Sequence, residues 1–425
     1  MKILVVCDNY SKGGLETQID TYYNNMFGNN SMIFAFGNYF KTSLLKDAKI
    51  YDGFHFSYSD TINDFCSDVD RLVDIINKEQ IDVIHVHPYY CFFACLFASQ
   101  ITGVKLVYSY HGCGSFNFAK TYISQPLFLY SFECGAVARV FTVSKNGNNC
   151  FNNIGYDNVI LLRNPIDFRK FPIAASVNNN KWLLVSRIDN DKIDEIKLMI
   201  KNMRKFNIDR IDIVGDGNEL DNLKKFISDN KLDSVVKLKG FSDDIYGDFN
   251  NSYTGIIGIG RVVLEALAMN IPCILIGYGK ITGFVNKNIY DIVKDVNFVN
   301  KDIVLYNDLL PTEYDMEYIH SDIVNFYDVN VILKKYFNEL ENCKSIFMLN
   351  LIKLYEEIRN INKNVELSKC YFHKERLVYN LMDIYVNKYS LNCDINNIFV
   401  NANLVYELYD LNTYRINLIK EDKND

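Results

Sequence analysis

The sequence predicts an α/β fold: two tandem, doubly wound parallel-sheet domains followed by a helical extension. Three observations predict it. Short runs that are apolar on both faces recur as far as residue 277. Between them lie stretches with apolar residues three and four apart, the spacing of an amphipathic helix. The alternation pauses near residue 170, starts again, and from about residue 325 gives way to helical periodicity alone. Strands apolar on both faces belong to parallel sheets covered by helices on both sides.

In chain order, "KILVVCD" (2–8) is the first strand, followed by the loop "NYSKGGLETQ" and a helix. "NDFCSDVDRLVDIINKEQ" (63–80) reads as a helix, and "DVIHVHP" (82–88), "KLVYSYHG" (105–112), "ARVFTVS" (138–144) and "NVILLRNP" (158–165) as strands. A connector containing Pro and Asn, "NPIDFRKFPIAASVNNN" (164–180), precedes the restart. "KWLLVSR" (181–187), "IDIVGDG" (211–217), "VVKLKGF" (235–241), "TGIIGIG" (254–260) and "PCILIG" (272–277) are the strands of the second domain. The expected boundaries are 1–170, 171–342 and a helical extension over 343–425, with "KEDKND" a frayed tail. Ligands are expected at the carboxyl ends of the strands, where doubly wound sheets bind them.

Composition narrows the function. The chain of 425 residues carries 45 Lys and Arg against 52 Asp and Glu, a formal net charge of −7. A nucleic-acid binder needs a basic face to displace counterions, so that class is excluded. Eleven cysteines show no C-x-x-C pair or zinc spacing, which points to reduced thiols and a cytoplasmic protein. Cys91 and Cys95, one helical turn apart, read as core. The first ten residues have too short an apolar core for a signal peptide. No stretch reaches the roughly 18 uncharged apolar residues of a membrane-spanning helix.

Several short stretches can carry chemistry. In "SKGGLE" (11–16), Gly13 and Gly14 make either a tight strand-to-helix turn or a backbone cradle for an anion at a helix start. The dinucleotide fingerprint G-x-G-x-x-G is absent. Arg187 and Lys192, five apart after a strand, suit a diphosphate, although a solvated loop of mixed charge gives the same pattern. "DND" (189–191) and "DVD" (68–70) invite a metal, yet their neighbours Arg187, Lys192 and Arg71 make solvated faces the better reading. In "TGIIGIGRVVLE", Gly258 and Gly260 could turn backbone N–H groups toward a phosphate. Glu265, at the end of the first helical turn, could accept both hydroxyls of a ribose. Arg261 at the same helix start opposes the helix dipole, which signals either an anionic ligand or a salt bridge to a neighbouring acid. His111 ends a strand beside Gly112 and Gly114; His85 and His87 read as strand-end packing.

Taken in this order, "GGLE", His111 with Gly112, "NPID" (164–167), "SRIDNDK", "VGDGNELDNLKKF", "LKGFSDDI" and "GIGRVVLEALAMNIPCI" resemble the family-4 retaining glycosyltransferases. The resemblance covers about residues 1–340. It implies a GT-B architecture, two Rossmann-like domains facing a central cleft, acceptor on the N-terminal side and donor on the C-terminal side. By resemblance, Gly13 and Gly14 approach donor phosphates or the acceptor, and His111 contacts the transferred sugar. Arg187 and Lys192 stabilise the departing diphosphate, residues 240–244 with Gly240 and Phe241 line the base pocket, and Glu265 holds the ribose. The implied reaction moves a sugar from a UDP- or GDP-sugar to a glycan or lipid-linked acceptor, with retention and without metal or cofactor. One departure stands out. The family often shows Glu-x7-Glu, and the first Glu corresponds to Ile257. A Gly-Arg pair, Gly260 and Arg261, follows instead, as in a bacterial subgroup. Donor-sugar contacts are then expected from backbone N–H groups or from residues around Tyr278 to Gly283. Peripheral membrane contact and a protein partner docking through 343–425 stay open. So do two other readings, a non-catalytic nucleotide-sugar-binding subunit and a nucleotide-sugar epimerase.

Overall fold

The computed structural model describes residues 1–362 except 12, 40–44, 57–61, 88–89, 113–127, 129–130, 154, 176, 243–246, 248, 250–251 and 302. The chain forms two compact units, Met1–Leu162 with Leu333 onward, and Arg163–Ile332.

The first unit is built on a seven-stranded sheet with order β3-β2-β1-β4-β5-β6-β7. Its strands are β1 (Lys2–Tyr10), β2 (Ser31–Tyr39), β3 (Lys49–Tyr51), β4 (Val83–Val86), β5 (Lys105–Tyr110), β6 (Arg139–Thr142) and β7 (Val159–Leu161), all paired in parallel. Residues of β1, β4 and β5 are buried on successive positions rather than alternate ones, as a sheet covered on both faces requires. Helices α1 (Gly14–Asn24), α2 (Ile62–Glu79), α3 (Phe92–Thr102) and α4 (Lys145–Asn153) provide the cover. β2 and β3 extend the sheet beyond the five strands expected, and α2 falls within one residue of its expected span. Cys91 and Cys95 are fully buried in the core, and eight described cysteines are free thiols.

The second unit carries a six-stranded sheet with order β10-β9-β8-β11-β12-β13. β8 (Lys181–Val185), β9 (Arg210–Val214), β10 (Val236–Gly240), β11 (Gly255–Gly258) and β12 (Cys273–Gly277) run parallel, and β13 (Lys280–Phe284) closes the edge as an antiparallel hairpin with β12. One face packs on α5 (Ile193–Asn202) and α6 (Leu220–Asp229). The other packs on α7 (Arg261–Ala268), α8 (Lys287–Val293) and α9 (Glu313–Tyr327). α9 starts at a reciprocal cap, in which the Thr312 hydroxyl accepts the Asp315 N–H and Asp315 accepts from Thr312.

Helix α10 (Val329–Asn342) carries the chain back to the first unit, and α11 (Leu349–Asn362) lies on α2 and α3. Leu351, Leu354, Tyr355 and Ile358 are buried in the first unit's core, with Tyr355 stacked 5.4 Å from Phe97. Residues 349–362 are thus part of that unit's packing rather than a separate extension. The tail from residue 363 lies outside the described residues. Among the described residues, no helix is long and apolar enough to cross a membrane.

Candidate active site

In the second unit, the crossovers change direction between β8 and β11, which lie side by side. A doubly wound sheet binds ligands outside the carboxyl ends of its strands at such a switch point. The loop after β8 bears Arg187 and Lys192; the turn after β11 bears Gly260, and the helix it opens, α7, bears Arg261 and Glu265. The sequence elements singled out for nucleotide chemistry therefore leave adjacent strands at the same end.

Arg187 is exposed and pairs with Asp189 at 2.7 Å and Asp191 at 3.7 Å. Lys192, at the start of α5, is mostly enclosed; its Nζ lies 3.2 Å from Asp191, 3.9 Å from Glu195 and 5.1 Å from the Tyr278 ring centroid. Both aspartates of "DND" are thus engaged by these cations, and Asp189 also accepts the Asn218 N–H. Glu195 is buried and accepts the Gly279 N–H at 3.2 Å. It ties Lys192 to the tip of the β12–β13 hairpin, a contact that Glu195's place three residues after Lys192 does not announce. The loops after β8 and β9 also meet. Gly215 (φ +151°) packs so closely that an added Cβ would stand 1.8 Å from the Ser186 carbonyl oxygen.

At the second loop, Arg261 and Glu265 form an ion pair of 2.6 Å with both side chains enclosed, and Arg261 donates to the Pro165 carbonyl at 3.0 Å. Of the two explanations for an arginine at this helix start, the structure has the salt bridge. Its i,i+4 spacing made that partner available. It also fastens the "NPID" stretch, where Asn164 donates to Asn297 at 2.7 Å. One expectation for this turn is corrected. The Gly260 N–H does not face a ligand; it donates to the Phe298 carbonyl at 2.9 Å, and the chain turns at Gly260 with φ +63°. Gly258 is the last residue of β11. Ile257 is fully enclosed in the core among Trp182, Leu184 and Ile274. Gly240 ends β10 and its carbonyl accepts the Gly215 N–H at 2.9 Å; Phe241 follows, half exposed. Residues 243 and 244 of the expected base pocket lie outside the described residues.

In the first unit the switch point falls between β1 and β4. Gly13 caps α1 in extended backbone and Gly14 opens the helix. The Glu16 carboxylate folds back over this loop and accepts the Ser11 N–H at 3.3 Å. Across the next strands, His111 is half-buried and its Nε2 lies 2.9 Å from His87 Nδ1. His85 is held by Ser109 and Tyr336, each at 2.7 Å. His85 is packing, as expected; His87 is more, because it touches the candidate catalytic residue. Burial lowers the His111 and His85 pKa values to about 4 and about 3 and pushes His87 well below its ordinary value, so all three are neutral near pH 7. Gly114 lies outside the described residues.

Comparison with known proteins bears on the fold. Residues 47–170 match the model of Glycosyltransferase Family 4. A poly(glycerol-phosphate) alpha-glucosyltransferase of Bacillus subtilis (strain 168) is 28% identical over 116 residues, 25% of this chain and 17% of that protein. The chain therefore matches only a small part of that relative's length. Among solved structures, a glycosyltransferase from Rickettsia africae ESF-5 superposes with TM-score 0.56 at 17% identity, covering 80% of this chain and 97% of that one. Anabaena HepE, crystallised with UDP and glucose, gives TM-score 0.56 at 17% identity over 80% of this chain and all of its own. The chain has the GT-B fold. Identity at this level speaks to fold alone.

Proposed function

We propose that this chain is a glycosyltransferase that moves a sugar from a UDP- or GDP-sugar to a glycan or lipid-linked hydroxyl with retention of configuration. The observation that carries the reading is the placement of Arg187 and Lys192 at the switch point of the second unit, next to the helix start that bears Glu265. Departure of a nucleoside diphosphate builds negative charge on phosphate oxygens, and fixed cations aimed there lower that barrier. Arg187 can exchange its aspartates for a diphosphate at small cost, because an exposed ion pair contributes only about 0–1 kcal/mol. Lys192, held among Asp191, Glu195 and Tyr278, supplies the second charge in a fixed place. Glu265, oriented by Arg261, receives the ribose hydroxyls. The backbone after β10, Gly240 and Phe241, borders the base, and the Gly13–Gly14 loop approaches donor phosphates or the acceptor. His111 contacts the transferred sugar as a neutral imidazole, one of whose ring nitrogens is already engaged by His87. With Ile257 in the core, donor-sugar contacts come from the Tyr278–Gly283 hairpin.

The test is transfer, and release of nucleoside diphosphate, from a panel of UDP-, GDP- and ADP-sugars, beginning with UDP-glucose. Arg187→Ala and Lys192→Ala are each expected to stay folded and to lose ~10²–10³ in rate, by analogy with the loss of one oxyanion donor. Unchanged turnover in a folded double variant would overturn the phosphate site. Stoichiometric nucleotide binding without turnover in the wild type would favour the non-catalytic subunit instead.

A further inference from the structure

We infer that His87 is a positioning residue for His111, tying the proton position on the His111 ring to that on its own Nδ1. The inference rests on the proposed role of His111 for its catalytic consequence, but its structural half stands alone. A hydrogen bond between His87 Nδ1 and His111 Nε2, 2.9 Å apart, needs one proton on one of those two nitrogens. If His87 Nδ1 donates, His111 Nε2 accepts and its proton sits on Nδ1. If His87 Nδ1 accepts, the His111 proton sits on Nε2. Each arrangement leaves His111 Nδ1 in one fixed role, donor or acceptor.

The surroundings hold His87 in place. Its backbone N–H donates to the Val6 carbonyl at 2.8 Å, which pins the residue to β1 where β4 ends. Its ring lies 4.2 Å from that of His85 and 5.2 Å from that of His111. His85 is in turn fixed on both ring nitrogens, by Ser109 of β5 and by Tyr336 of α10. His87 thus presents Nδ1 to His111 from a position set by two strands and a helix. It is itself enclosed, whereas His111 retains exposed surface. The arrangement leaves His111 as the ring that reaches a ligand and His87 as the ring that orients it.

The experiment compares His87→Leu with His87→Asn in the full chain. Asn places an amide near the position of Nδ1 and can donate or accept there; Leu can do neither. Nitrogen-15 spectra of the His111 imidazole, recorded without substrate, are expected to show one tautomer in the wild type and in His87→Asn. In folded His87→Leu they are expected to show a shifted or mixed population. An unchanged His111 spectrum in folded His87→Leu overturns the inference, whatever the protein catalyses. On the most active donor, His87→Leu is expected to lower kcat at least tenfold with KM nearly unchanged, and His87→Asn to recover most of it. Loss of kcat with no recovery by Asn, and no change in the His111 spectrum, would reduce His87 to a packing residue. A wild type that releases no nucleoside diphosphate from any donor would defeat the glycosyltransferase reading and leave the spectral result standing.

Discussion

Arg261 and Glu265 enclose each other at 2.6 Å with side-chain exposures of 8% and 7%, so a single substitution strands a buried charge. Removing one partner of a buried pair costs roughly 3–5 kcal/mol of stability. Glu265→Ala is therefore expected to lower Tm and also to weaken nucleotide binding, the latter by about 1.5–3 kcal/mol for lost hydrogen bonds to a carboxylate. The two effects separate in the double variant Arg261→Met, Glu265→Leu, which removes both charges. Its Tm is expected to recover much of the loss while calorimetric titration with UDP stays weak. Recovery of UDP affinity in the double variant would remove Glu265 from the ribose. This pair was legible in the sequence, because residues four apart on a helix face one another. The bond from His87 to His111 was not. It joins residues 24 apart in the chain, each just past the end of one of two neighbouring strands, and strand spacing alone says only that His85 and His87 share a face.

At the level of elements, β11 decides the fate of Ile257. The strand holds four residues, and Ile257 pairs in register with Leu184 of β8 and Ile274 of β12. A carboxylate there would enter a packed apolar layer without a partner, where an unpaired charge is very costly. Ile257→Glu is expected to destabilise the second unit by several kcal/mol, or to prevent its folding, and not to raise transfer on any donor. Thermal unfolding and donor-panel rates check both halves; a stable, faster Ile257→Glu would show a decayed form of the common Glu-x7-Glu site. The sequence pattern identified the position but not its environment, since alignment with a motif does not say how many residues the turn after the strand keeps. Here only Ile259 and Gly260 separate β11 from α7. The strands themselves were largely legible, because burial on both faces leaves uninterrupted apolar runs. β2 carries the same signal as its neighbours and nothing physical hides it. β3, three residues long and part-exposed, has too little apolar surface to stand out.

Across the whole molecule, the tandem α/β plan follows from an alternation that any covered parallel sheet imposes on its sequence. The return of the chain to the first unit does not. An amphipathic helix such as α11 advertises an apolar face, but the helices it covers, α2 and α3, are chosen by packing with Phe97 and Cys66, far away in sequence. The remaining whole-molecule property is the ion requirement of the reaction. Where a divalent cation neutralises a leaving diphosphate, the protein usually offers a carboxylate with an open coordination position. Asp189 and Asp191, the acidic pair nearest the switch point, are instead drawn to Arg187 and Lys192. To accept a metal they would have to release those cations, and the ion and the cations would then compete for one charge-balancing role. Transfer is therefore expected to survive EDTA, measured as donor turnover before and after chelation at constant ionic strength, since phosphate contacts of exposed cations weaken with salt. Complete loss on chelation, restored by manganese, would assign the aspartates to a metal and leave Arg187 and Lys192 as their counter-ions.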